Sequence, residues 1–257
     1  TTTADGNTAV GRDSLVANTT GTENTVVGAY ALDANTTGIR NTAVGYKAGS
    51  AAVTVNDTTA IGWEALDVAT TGENVAVGGA ALGANTSGTY NTAVGNWSLD
   101  ANTTASNNTA VGHNSLGANT TGAENVAVGS LALDANTTAS YGTAVGYDSL
   151  TANTTGNSNA AVGRSSLAAN TTGAANTAMG QAALQTNTTA SNNSALGYAS
   201  LFANTTGANN VAVGANTLTA NTTGSTNTAV GSEAGDSITT GGENVAIGHG
   251  ALDGGTT

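Results

Sequence analysis

The chain has 257 residues, among them 36 Gly, one Phe, one Met and no Pro or Cys, which is too little bulky side chain for a conventional single core of this length. Four basic against sixteen acidic residues leave a net charge of −12, which repels polyphosphate and anionic lipid and argues against nucleic-acid or membrane-surface binding. No apolar run approaches the roughly 18 residues of a membrane span and no signal-peptide pattern is present, so no membrane insertion of this segment is expected.

Order must come from recurrence. From the N-terminus, a Gly that follows an apolar residue returns at Gly11, Gly28, Gly45, Gly62, Gly78, Gly95, Gly112, Gly129, Gly146, Gly163, Gly180, Gly197, Gly214, Gly231 and Gly248. Every interval is 17 residues except the 16 between Gly62 and Gly78. A short strict period means one structural unit stacked on itself, each coil burying the same few apolar groups against its neighbours. The expectation is an all-β parallel solenoid of about fifteen 17-residue coils, with residues 1–257 as a single repeat domain.

Each coil begins with a triplet such as Thr8-Ala9-Val10, whose β-branched flanks favour a strand. The third residue is always apolar (Val10, Val27, Val44, Ile61 and onward) and is expected to face the interior. The first residue, mostly Thr but Val75, Val126, Val211 and Val245 in four copies, shares that side by the period of two. Leu stands four residues after the anchor Gly in thirteen copies, with Gly49 and Gly235 as the exceptions, and is read as the second wall of the core. The middle residue, Ala in fourteen copies and Val26 in the other, then points outward. An unvarying line of Ala on a solvent face implies close approach of another backbone. Ala9, Ala43, Ala76, Ala110, Ala144, Ala178, Ala212 and Ala246 are therefore expected to form the interface of a parallel homo-oligomer; the alternative is that Ala is merely tolerated in a repeat spread by duplication.

Asn recurs in two columns, before the triplet (Asn7, Asn24, Asn41, Asn74, Asn91) and opening N-T-T (Asn18, Asn35, Asn102, Asn119, Asn136, Asn153). Identical amides stacked at about 4.8 Å can bond to one another along the coil axis, so both columns are expected to be ladders. The second column also spells the N-glycosylation acceptor, read here as accidental to the ladder. The period is disturbed twice, from Gly49 to Asp57 with a short coil following it, and at Gly235-Asp236-Ser237-Ile238. These are read as local bulges or as remnants of an older repeat. Thr2-Thr3 and Thr256-Thr257 both fall on the T-T step and no polar cap is visible, so the chain is expected to be a segment of a longer fibre.

The N-T-A-V-G and N-V-A-I-G steps at Asn7 to Gly11 and Asn244 to Gly248 resemble the head repeats of trimeric autotransporter adhesins, the YadA-like head. The longer phrase with A-L-x-A-N-T-T-G is similar to repeats in bacteriophage tail-fibre proteins and related bacterial surface fibres, over essentially the whole chain. The resemblance implies a left-handed parallel β-roll, three of which associate side by side as a homotrimer.

Side-chain variety concentrates in the turn after the anchor Gly. Tyr46, Trp63, His113, Tyr147 and Tyr198 follow it directly and Trp97 stands one place on. Exposed aromatics on a rigid polar face suit stacking on sugar rings, and these six residues are the candidate ligand strip; the alternative is that the turn tolerates any residue. His113 and His249 lie eight coils apart, roughly 38 Å at strand spacing, so they share no metal within one chain. No nucleophile and base are placed to meet, and neither a nucleotide nor a calcium motif is present, so no cofactor, metal or catalysis is expected.

The function expected on these grounds is a non-catalytic segment of an extracellular fibre, on a bacterial surface or a virion, that displays or engages a cell-surface glycan or protein receptor. The alternative is an ice-binding solenoid using Thr and Asn columns. Adjacent Thr19 and Thr20 point to opposite faces of an extended chain, which counts against N-T-T as that surface.

Overall fold

The computed structural model describes residues 4–254; the terminal T-T steps at Thr2, Thr3, Thr256 and Thr257 lie outside them. The protein is an all-β parallel solenoid, one short strand to each coil. The chain divides into two compact units, one reaching Asn125 and the other starting at Val126. The first carries β1 (Thr8–Val10), β2 (Thr25–Val27), β3 (Thr42–Val44), β4 (Thr59–Ile61), β5 (Val75–Val77), β6 (Thr92–Val94) and β7 (Thr109–Val111). The second carries β8 (Val126–Val128), β9 (Thr143–Val145), β10 (Ala160–Val162), β11 (Thr177–Met179), β12 (Ser194–Leu196), β13 (Val211–Val213), β14 (Thr228–Val230) and β15 (Val245–Ile247).

Within each unit successive strands pair in parallel and in register, Ala43 on Ala60 and Ala144 on Ala161 for example. The coil one residue short keeps this register, with Thr59 on Val75. Axial bonding continues through the corners: Tyr30 N donates to Arg12 O, Gly28 N to Val10 O and Leu32 N to Ala48 O, at 2.8–3.0 Å. Three-residue strands suffice because nearly the whole coil is laddered to its neighbours.

The anchor Gly has a simple cause. Its φ lies between +122° and +141°, a region for glycine, and a Cβ at Gly11 to Gly95 or at Gly129 to Gly231 of this column would come within 2.3–2.7 Å of the next coil's backbone. Non-glycine residues also take left-handed backbone at three places per coil, as at Asp13, Leu15 and Glu23 with φ of 53°, 53° and 60°. The Leu column sits in this conformation throughout, at a cost of about 1–2 kcal/mol each. The two exceptions, Gly49 and Gly235, both have φ of 63°, the backbone that glycine adopts freely.

The core corrects the expected sidedness of the strand. The middle residue faces inward: Ala43, Ala76, Ala110, Ala144, Ala178 and Ala212 are fully buried within the single chain, and Ala246 is nearly so. These buried side chains cannot form a subunit interface; Ala9, at the same strand position on the first described coil, is exposed. The Val column, expected inside, lies outward with its Thr partners: most members are exposed, from 36% at Val94 to 70% at Ile247, and Val44, Val77 and Val111 are half-buried. Alternation holds; the assignment of faces was reversed. The reason is volume. Buried Leu, a buried Ala or Ser after the turn and two buried Asn already occupy the lumen of a 17-residue coil, so the strand adds only a methyl, or the isopropyl of Val26.

The second wall is as expected, with every Leu of that column from Leu32 to Leu218 buried. Both Asn columns are ladders. In the first, Asn41 N donates to Asn24 Oδ1 at 3.0 Å, and Asn24 Nδ2 donates to Gly38 O at 2.9 Å. In the second, Asn170 Nδ2 donates to Asn153 Oδ1 at 2.8 Å and to Gly173 O at 2.9 Å. The two columns converge on one carbonyl, since Asn159 Nδ2 also donates to Gly173 O, at 2.7 Å.

Candidate functional site

Two surfaces are left once the lumen is filled. The first is the outward side of the sheet, where each strand presents its first and third residues. In the second unit this gives rows such as Thr143, Ala160, Thr177 and Ser194 beside Val145, Val162, Met179 and Leu196, in register at strand spacing. The row is apolar, regular and without cover from its own chain. Its polar members are short hydroxyls.

The second surface is the turn after the anchor Gly. Left-handed backbone two residues on turns the chain sharply and leaves side chains at both positions pointing away from the lumen. All six expected strip residues are exposed: Tyr46, Trp63, Trp97, His113, Tyr147 and Tyr198. Trp97 and His113 meet edge to face with ring centroids 5.3 Å apart. Tyr46 meets Tyr30 in the same way at 6.0 Å, with Arg12 over the Tyr30 ring at 5.2 Å and Lys47 over Tyr46 at 5.8 Å. Tyr147 and Tyr198 are three coils apart, separated by Arg164 and Gln181 in the same column, so they form no shared platform.

A third corner, two residues before the strand, was not singled out from the sequence. It carries the exposed Tyr90 and Tyr141 and, among the described residues, the closest ion pair, Arg40 to Asp57, whose two bonds measure 2.6 and 2.7 Å. The Arg40 hydrogen bond holds the Asp57 carboxyl below its ordinary value, and a bond to Glu73 pushes the Tyr90 phenol up. Spacing could have found this column, because the residues stand 17 or 16 apart as everywhere else. Beside it the shortened coil leaves a depression of about 160 Å³ lined by Thr54, Asn56, Asp57, Thr70 and Glu73.

Carboxylates share columns along the axis, on adjacent coils at Asp57 and Glu73 and at Asp236 and Asp253, and more widely spaced elsewhere. Asp33, Asp67 and Asp100 share one turn position on alternate coils, with Ser50 and Gly83 between them, which doubles their separation to about 9.6 Å. Ser50 Oγ donates to the Asp67 carboxylate. Among the described residues no three His, Cys, Asp or Glu side chains are placed to hold a metal, and no helix is long and apolar enough to cross a membrane. His249 stands 3.9 Å from Glu233 and far in sequence from His113.

Compared with protein-family models, with curated proteins and with solved structures, the chain finds no match.

Proposed function

We propose that this chain is a non-catalytic segment of an extracellular fibre, on a bacterial surface or a virion, built from copies of itself laid side by side. The observation that carries the reading is the uncovered apolar row of the sheet, Val145, Val162, Met179 and Leu196 among its members. Contiguous apolar surface of this kind is the mark of an association site. The interface thus moves from the buried Ala column to the Thr and Val columns, and the repeat makes it self-complementary in register for a parallel partner. A left-handed roll in a homotrimer is the arrangement that the resemblance to adhesin heads implies. The turn strip, on a different side of the coil from the sheet, is then free to meet a glycan or protein receptor.

Light scattering on the purified chain tests this. A trimer mass is expected, and Val145→Lys with Val162→Lys should give monomers with an unchanged far-ultraviolet spectrum, because both side chains lie outside the lumen. A wild-type monomer would overturn the proposal.

One observation favours a second reading on the same face. Regular T-x-V rows on an exposed parallel sheet are a better ice-binding surface than N-T-T, whose first Thr spends its hydroxyl on the next coil, as Thr171 Oγ1 does on Thr188 O at 3.0 Å. A monomer with thermal hysteresis that Thr143→Lys abolishes would establish it in place of the fibre.

A further inference from the structure

The residue directly after the anchor Gly is aromatic on two adjacent coils at one place only, Tyr46 and Trp63, 17 residues apart in the same column. The other tyrosines of that column stand alone: Tyr147 lies between Ser130 and Arg164, and Tyr198 between Gln181 and Ala215. Tyr46 and Trp63 are 44% and 53% exposed, so both rings stand clear of the lumen. Their coils are tied together by the main chain, since Gly62 N donates to Val44 O at 2.8 Å and Glu64 N to Tyr46 O at 3.0 Å. Neighbouring side chains brace the pair. Tyr30 meets the Tyr46 ring edge to face at 6.0 Å and is itself half-buried, with Arg12 over it at 5.2 Å. Lys47 lies over the Tyr46 ring at 5.8 Å and within 3.9 Å of Glu64, which links the Tyr46 coil to the Trp63 coil a second time. Two exposed rings are thereby held one strand spacing apart, about 4.8 Å along the coil axis.

We infer that Tyr46 and Trp63 form a platform for a neutral saccharide chain lying along the coil axis, one sugar ring to each coil. The inference rests on the receptor-engaging reading above and names the ligand class. Sugar C–H faces pack on aromatic rings, and one pyranose unit of a linear chain is about as long as a coil is high, about 4.8 Å. The Tyr46 phenol, the Lys47 ammonium and the Glu64 carboxylate stand beside the rings as hydroxyl partners. A peptide is a poorer occupant. Extended peptides are held through unpaired main-chain groups, and the main chain of this corner is spent on its own ladder: Tyr30 N donates to Arg12 O at 2.9 Å and Lys47 N to Ala29 O at 3.0 Å, as Glu64 N does to Tyr46 O. Charge selects among sugars. Arg12 already faces Asp13 at 3.2 Å and Lys47 faces Glu64, so each cation of the corner is matched by a carboxylate, and the net charge of −12 repels uronic, sialic and sulfated units. The same charge excludes nucleic acid, whose bases would otherwise stack on such rings.

The test is calorimetric titration of the whole chain with hexamers of glucose and of N-acetylglucosamine, with hyaluronan hexamer as the acidic control. A neutral hexamer should bind and hyaluronan should not. Tyr46→Ala and Trp63→Ala should each weaken binding about tenfold, whereas Tyr147→Ala, at a solitary ring of the same column, should leave it unchanged. All three side chains are exposed, so the variants should keep the parent far-ultraviolet spectrum. No binding of either neutral hexamer at millimolar concentration, tighter binding of hyaluronan, binding that both Tyr46→Ala and Trp63→Ala retain, or an equal loss in Tyr147→Ala would each overturn the inference. Light scattering on the same samples separates the two proposals: a trimer that binds no sugar sinks the platform alone, and a monomer that binds it sinks the fibre alone.

Discussion

A buried asparagine in this protein is worth its hydrogen bonds, and those depend on what the next coil supplies. Asn170 is satisfied on every side, since it donates to Asn153 and Gly173 and accepts from Asn187 Nδ2 at 2.9 Å. Asn221 donates in the same way, but its Oδ1 is buried without a partner because Ile238 stands where the next Asn would donate. Asn170→Ala should therefore cost about 2–3 kcal/mol, stranding two neighbours, and Asn221→Ala about 1 kcal/mol, stranding one and removing an orphan. Denaturant midpoints of the two variants decide it; equal losses would mean that the ladder carries no energy of its own. Asp100 shows the opposite balance. Burial raises its pKa in the folded state, so the ionised carboxylate opposes folding, and stability should rise as pH falls from neutral towards the ordinary carboxylate range. Asp100→Asn should raise the melting temperature at neutral pH and change nothing once the carboxyl is protonated, as melting curves of both proteins across pH would show.

At the level of the coil, residues act in pairs. Where Leu is lost at Gly235, Asn is lost three positions later and Ile238 is buried in its place. The same happens at Gly49, followed by buried Ala52 and Val55. A Cβ on Gly235 would stand 3.0 Å from Leu218 Cδ2 and 3.1 Å from Ile238 Cδ1, so the two apolar groups compete for one space. Gly235→Leu alone should be destabilising by overpacking, and Ile238→Asn alone by setting an amide beside a void. Together they rebuild the common coil and give Asn221 its missing donor. The double variant should thus be more stable than the sum of the single effects by about 1–3 kcal/mol, a coupling that a double-mutant cycle measures directly. This also shows what the sequence could and could not reveal. Period, strand position, the Leu wall and both Asn ladders were readable because each is a column of one residue type. The side on which Val lies was not, because alternation defines two faces without saying which is inside. That depends on how much lumen Leu and Asn leave free, a volume that only the closed coil sets. The turn strip was readable as exposed, because its residues recur beside the anchor Gly and vary freely there, whereas the ring pairs Tyr30–Tyr46 and Trp97–His113 depend on side-chain directions that spacing does not give.

For the molecule as a whole, the burial of one column restricts where the chain can be made. Asn35, Asn102, Asn136, Asn153, Asn170, Asn187, Asn204 and Asn221 each begin an N-T-T acceptor, and each is buried. Asn170 Nδ2 already uses both hydrogens, on Asn153 and Gly173, and no solvent reaches it. A sugar joined to that nitrogen would remove one bond and force the coils apart. N-linked transfer acts on Asn-x-Thr in unfolded chain, before stacking can hide the amide. Passage through a secretory pathway that performs it should then yield glycosylated, unfolded protein, whereas the bacterial cytosol yields the solenoid. Replacing the second Thr of each acceptor by Ala removes the signal without touching the lumen, because Thr104, Thr155, Thr172 and their equivalents are exposed. Such a chain should leave the secretory pathway folded, even with sugars on exposed acceptors such as Asn107 and Asn192. Gel mobility before and after deglycosylation, read beside the far-ultraviolet spectrum, tests the argument. Sugars on the N-T-T column of a chain that keeps its β spectrum would show that the Asn ladder is not buried, and the thin core built on it would fall with it.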